Sequence, residues 1–193
     1  AGDRIKVNPL DTMINHETNE LFFDGLAVPE YNLIGEEGKG FHYILSGMNA
    51  ERILLASESV GDALYFVDRS TEYARERVVF SRPIGQNQGV QFPIAQAYAH
   101  IRAADLMCYD AAGKYDRGEP CGAEANMAKL LASEASWEAA NACMNAHGGY
   151  GFAAEFDVER KFRETRLFIT ALINNNLVLA FLGQHVLGMP RSY

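Results

Sequence analysis

No basic surplus is present in these 193 residues: 25 Asp and Glu stand against 17 Lys and Arg, a net charge of −8. That excludes bulk electrostatic attraction to nucleic acid or to an anionic membrane. A polyphosphate ligand, if there is one, has to be held by local donors. Cysteine is scarce, odd in number and widely spaced (Cys108, Cys121 and Cys143), and no C-x-x-C occurs. A disulfide framework and a zinc site are thereby disfavoured, and a reducing compartment is the simpler reading. Each thiol sits in an Ala-rich stretch and is expected to be a small buried hydrophobe. No apolar run approaches the roughly 18 residues of a membrane span. The chain opens Ala1-Gly2-Asp3-Arg4, without an initiator Met or a signal-peptide pattern, and this reads as a cut end.

What is present suits a folded core: 48% apolar and 22% charged residues. Residues 4–31 read as strand and turn. Arg4-Ile5-Lys6-Val7 alternates until Asn8-Pro9 breaks it, Glu20 to Phe23 is a second run stopped by Asp24-Gly25, and Leu26 to Val28 is a third closed by Pro29. Two or three short strands do not make a domain, so they belong to an incomplete β-domain. Past the hinge-like Gly35–Gly40 segment the character changes. From Phe41 to Arg77 there is no Pro, and Gly occurs only at positions 47 and 61. This predicts one very long helix, or two collinear ones with a weak point near Gly61.

Ser81 to Gly85 breaks that helix. Further helices are expected from about Gln88 to Tyr115, starting late or kinked at Pro93, and from about Ala123 to Ala146, with Met127, Leu130, Leu131 and Ala135 toward the core. Gly148-Gly149-Tyr150-Gly151 ends the latter. Short helices near Val158–Thr165 and Asn175–Leu187 complete the pattern. The expected fold is mostly α: an antiparallel up-and-down four-helix bundle over residues 37–193, preceded by a β-domain remnant and linker over residues 1–36.

Several separate stretches now match one known family in the right order. They are Glu17 to Asp24, Val28-Pro29 with Asn32 to Gly35, Asn49-Ala50-Glu51-Arg52, Tyr73 to Phe80 with Pro83-Ile84 and Gln88, Ala128-Lys129-Leu130, and His147 to Phe152 with Val158-Glu159-Arg160 and Arg163 to Arg166. Over almost its whole length the chain resembles the C-terminal half of the acyl-CoA dehydrogenases. The resemblance implies FAD as cofactor, an acyl-CoA thioester as substrate and α,β-dehydrogenation as the reaction. It also implies an electron-transferring flavoprotein as partner, a homodimer or homotetramer with FAD across a subunit boundary, and a bacterial cytosolic or mitochondrial-matrix location.

In many members the catalytic base is the Glu of a Tyr-Glu-Gly-Thr stretch. Here the corresponding residues are Thr170-Ala171-Leu172-Ile173-Asn174, and no Glu follows Thr165. The isovaleryl-CoA type instead carries its base in a Glu-Arg pair on the first bundle helix, and Glu51-Arg52 stands there. Independently, Ile44, Met48, Glu51 and Leu55 follow i, i+4, i+7, i+11, which places Glu51 on an otherwise apolar stripe. Burial on such a stripe raises a carboxylate pKa. Glu58 shares the stripe and is the rival base. By resemblance Arg52 lies near the flavin and the thioester, and Asn49 near the pantetheine arm.

Arg77, Phe80 and Gln88 resemble the motif for the ADP end of FAD, with Arg as a forked cation for the pyrophosphate. Gly148 and Gly149 resemble a glycine pair that admits the adenosine phosphates. Asn145 stands where the family often has Gln, and Asn174 or Asn175 takes the place of the Thr that contacts the flavin. Two other readings stay open: a flavin oxidase or monooxygenase on the same scaffold, and a non-catalytic bundle subunit serving assembly.

Overall fold

The structure is a computed structural model, and it describes residues 4–14 and 17–191. The opening residues Ala1–Asp3 lie outside that range. The chain divides into two compact units, residues 1–47 and 48–193.

In the first unit, β1 (Ile5–Leu10) and β2 (Thr18–Phe23) form an antiparallel two-stranded sheet in which Val7 faces Leu21 and Pro9 faces Asn19. The break expected at Asn8-Pro9 is absent. In a two-stranded sheet both strands are edges, and an edge tolerates a residue without an amide donor. Leu26 to Val28 forms no strand. Both faces of the hairpin are open, with Leu21 and Phe23 on one face and Phe22 on the other each about half or more exposed.

Helix α1 (Gly40–Glu76) runs 37 residues without interruption at Gly61. A two-residue-strand hairpin follows, β3 (Val78–Val79) with β4 (Arg82–Pro83). Helix α2 (Gln88–Asp116) contains Pro93 in its second turn, and α3 (Gly122–His147) returns after a short connection. The tail carries α4 (Val158–Thr165) and α5 (Asn175–Phe181), the latter continued by a π-helical turn over Leu182–Val186.

The second unit is a mostly helical bundle, and its core is built from small side chains. Ala97, Ile101, Ala104, Cys108 and Ala111 line α2 with alternating steps of four and three, and Ala125, Ala128, Ala132, Ala135 and Ala139 line α3 in the same rhythm; all are buried. This spacing is that of a coiled-coil seam, and side chains as small as alanine permit close approach of two helices. Ile53, Ala56, Val60, Ala63 and Phe66 of α1 close the same core, and Phe66 is its largest fully buried side chain. The core face expected for α3 is therefore corrected. Leu131 is 41% exposed and Met127 and Leu130 are half-buried, while Ala135 is buried as expected.

Polar groups are also taken inside. Asp62 of α1 is buried against the Lys161 ammonium of α4, and burial raises its carboxyl pKa while Lys161 opposes the rise. All three cysteines are buried, and burial pushes the Cys108 thiol up to about 11 and the Cys143 thiol up to about 12. Among the described residues no helix is long and apolar enough to cross a membrane, and no group of His, Cys, Asp and Glu is placed to hold a metal ion.

Candidate active site

A cleft lies where α1 and α3 end. The turn Gly148–Phe152 follows α3, and Gly148 at φ +57° supplies the left-handed backbone that stops the helix. Just upstream, His147 is 4% exposed, and its Nδ1–H donates to the Cys143 carbonyl at 2.9 Å. Burial lowers the His147 pKa, so the imidazole is neutral at neutral pH. Its ring stacks on Tyr73 of α1, and Phe156 meets both rings edge-on.

Arg77, one residue past α1, places its guanidinium 5.4 Å from the centre of the Tyr150 ring. Tyr73, Arg77, Val79, Ile84, Gly149 and Tyr150 line a cleft of about 450 Å³, together with Ala146 and His147. The lining carries one permanent cation, aromatic faces and a glycine backbone, and it carries no carboxylate. Such a set suits an anion attached to a flat ring system.

Of the residues expected at the ADP end, Arg77 and Gly149 meet in this cleft, with Gly148 adjacent. Phe80, Gln88 and Asn145 are exposed and lie outside its lining. Phe80 is 96% exposed at the tip of the β3–β4 hairpin.

The candidate base lies far along the same helix. Glu51 and Arg77 are separated by 26 positions, about 39 Å at the helical rise per residue. Glu51 is exposed, as is Glu58. The burial expected for Glu51 is therefore not found in this chain. The core takes the Ile53–Ala56–Val60–Ala63 face of α1, roughly 100° or more round the helix from Glu51. Beside Glu51, Leu54 is 69% exposed. Arg52 is partly buried, donates from Nη1 to Asn49 Oδ1 at 3.0 Å, and leaves Nε buried with no hydrogen-bond partner. Burial lowers its pKa.

The Thr170–Asn174 stretch forms an irregular turn with Leu172 at φ +59°. Asn174 is engaged locally: its Oδ1 accepts the Asn176 N–H at 2.7 Å and caps α5. Asn175 is buried and bonded to Lys129 and Ser133 of α3. Lys129, Tyr73, His147 and Tyr150 were each part of a matching stretch, yet no spacing rule marks them as site residues. Their partners lie in other elements.

Comparison with known proteins agrees with this architecture. Residues 38–171 match the family model of the acyl-CoA dehydrogenase C-terminal domain. An acyl-CoA dehydrogenase of Bacillus subtilis (strain 168) is 38% identical over 171 residues, 89% of this chain and 45% of the relative. The structure of a glutaryl-coenzyme A dehydrogenase complexed with glutaryl-CoA superposes with a TM-score of 0.92 at 32% identity, over 98% of this chain and 49% of the other. Butyryl-CoA dehydrogenase from Megasphaera elsdenii gives a TM-score of 0.90 at 30% identity, over 96% and 49%. The chain spans about half the length of the relatives it matches. With its Ala-seamed bundle, its glycine-ended α3 and this match over residues 38–171, the chain belongs to the acyl-CoA dehydrogenase family and corresponds to the C-terminal domain of that family.

Proposed function

We propose that this chain is the C-terminal part of an FAD-dependent acyl-CoA dehydrogenase in which Glu51 is the base. The carrying observation is the cleft that joins Arg77, Gly149 and the Tyr73 and Tyr150 rings without a carboxylate. Those residues fit the ADP end of FAD: the guanidinium fork takes the pyrophosphate, and the backbone beside Gly148 and Gly149 admits it closely. Phe80 and Gln88 add a ring and an amide from the neighbouring hairpin and helix. Asn145 and Asn174 are further contacts in this reading. When bound, FAD supplies the hydride acceptor, its N5, for the β-hydrogen of the thioester.

Glu51 takes the α-proton of the acyl-CoA thioester. Asn49 and Arg52 stand within one turn of it. Their mutual hydrogen bond fixes the two polar heads together beside Glu51, which suits them to hold polar parts of the substrate. Leu54 gives the carboxylate an apolar border. A base of this kind is worth about 10²–10⁴ in rate. The roughly 39 Å between Glu51 and Arg77 keeps the two far apart along the helix axis. That suits a homodimer or homotetramer in which each FAD spans a subunit boundary. An electron-transferring flavoprotein is the electron acceptor in this reading.

The test is made on the full-length protein. It should purify yellow, and an acyl-CoA thioester should bleach the flavin. Glu51→Gln should keep FAD and lose bleaching by about 10²-fold or more. Normal bleaching by that variant refutes the base and turns attention to Glu58. Oxygen consumption without an external acceptor favours an oxidase on this scaffold instead.

A further inference from the structure

Lys129 is one of the largest fully buried side chains of the molecule, at 1% exposure. Its Nζ donates to Asn175 Oδ1 at 2.5 Å and to the Ile169 carbonyl at 3.4 Å. No carboxylate is bonded to it, although Glu134 acts on it through space. Burial lowers its pKa to about 8. An ammonium is costly to bury, and a hydrophobe of the same length would fill this space more cheaply. Such a side chain is expected where its donors do something that packing cannot.

Its two partners bracket one segment. Ile169 immediately precedes the Thr170–Asn174 turn, and Asn175 immediately follows it. Within the turn Leu172 is left-handed at φ +59°, an uncommon state for a bulky side chain. Ala171 N–H donates to the Leu167 carbonyl at 2.7 Å, and Ile173 N–H donates to the Ala171 carbonyl at 2.9 Å. Strained backbone of this kind persists only when its surroundings over-determine it. A second tie reinforces the exit: Asn175 Nδ2 donates to Ser133 Oγ at 3.1 Å, one helical turn beyond Lys129 on α3.

We propose that Lys129 is a positioning residue: by binding Ile169 and Asn175 it pins both ends of the strained Thr170–Asn174 turn and holds that turn fixed against the flavin and the acyl thioester. This rests on the dehydrogenase reading for what the turn faces. The clamp itself rests only on the contacts above.

Full-length flavoprotein carrying Lys129→Met, which keeps chain length and removes the donors, tests it, with Asn175→Ala as the partner variant. In both, amide exchange across residues 169–174 should accelerate about tenfold or more while exchange in α2 stays unchanged. In Lys129→Met flavin content should also stay unchanged, and in both variants bleaching by an acyl-CoA thioester that reduces the wild type should slow by roughly 10–100-fold, the scale of a small misplacement near reacting atoms. Unchanged exchange in the turn overturns the clamp. Faster exchange with normal bleaching overturns the positioning role and leaves a brace. If Lys129→Met does not accumulate, Asn175→Ala decides by the same two readouts. Wild-type protein that no acyl-CoA bleaches refutes the dehydrogenase reading instead, and the exchange comparison still judges the clamp.

Discussion

The Tyr73 ring lies flat on the His147 imidazole, centroids 4.2 Å apart and planes 20° from parallel. This stack ties the last turn of α1 to the last residue of α3. It thereby sets the distance between Arg77, four positions beyond Tyr73, and Gly149, two beyond His147. The cleft owes its shape to a pair that itself binds through faces and a backbone hydrogen bond.

That pair makes stability depend on pH. The folded-state pKa of His147 is lowered, chiefly by burial. The unfolded side chain titrates near about 6.5. Above that value both states are neutral and the group contributes no pH dependence. Below it the unfolded state takes up the proton first, so stability falls as pH falls toward the folded pKa. His147→Phe keeps a ring against Tyr73 and removes the titration. At pH 7.5 it should cost about 0.5–1.5 kcal/mol for the lost bond to Cys143. Urea unfolding at pH 7.5 and 5.5 should then show a smaller pH-dependent loss than in the wild type. Equal losses in the two proteins contradict the assignment.

Much of the helical architecture is legible in the sequence because Gly and Pro punctuate it. The proline-free stretch after Gly40 gives α1, and the Gly148-Gly149 pair gives the end of α3. The faces of the helices are less legible. Hydrophobic periodicity weights large side chains, so it selects Leu130 and Leu131 on α3 and the Glu51 stripe on α1. The bundle instead closes on alanine, which carries little hydrophobic signal but permits close approach. In the candidate site, Arg77 and the glycine pair are readable through family resemblance. The Lys129 clamp is not readable, because its partners lie 40 and 46 positions away. The β3–β4 hairpin escapes notice because Phe80-Ser81 is not a recognised turn pair.

The alanine seam predicts how the bundle responds to size. Ala132 is 1% exposed in the core shared by α2 and α3. Ala132→Leu adds volume to a filled part of this core and should destabilise by about 1–3 kcal/mol. Ala132→Gly should cost about 1 kcal/mol through helix propensity alone. Phe66→Ala, in the same core, should cost about 3–5 kcal/mol through a cavity. Denaturant midpoints of the three variants check the ranking. An Ala132→Leu protein as stable as wild type means that the seam has room and the close-approach account is wrong.

Phe80 occupies a backbone conformation its side chain does not favour. Val79 pairs with Arg82, leaving Phe80 and Ser81 as a two-residue loop, with φ at +51° and +64°. Two positive values mark the type I′ turn, whose favoured pair is Asn-Gly. A left-handed Phe costs roughly 1–2 kcal/mol. Its ring recovers little of that cost within the chain, being 96% exposed. In the proposed function the recovery comes from FAD, against which the ring packs. Phe80→Asn suits the turn and removes the ring. The apoprotein should gain about 1 kcal/mol and melt higher. The dissociation constant for FAD should rise about tenfold or more, the equivalent of losing the burial of one aromatic side chain. Thermal melts of apoprotein and flavin-fluorescence titration separate the two effects. A variant that melts higher yet binds FAD as tightly as wild type removes Phe80 from the cofactor site. One that melts lower shows that the turn draws stability from the Phe80 ring after all.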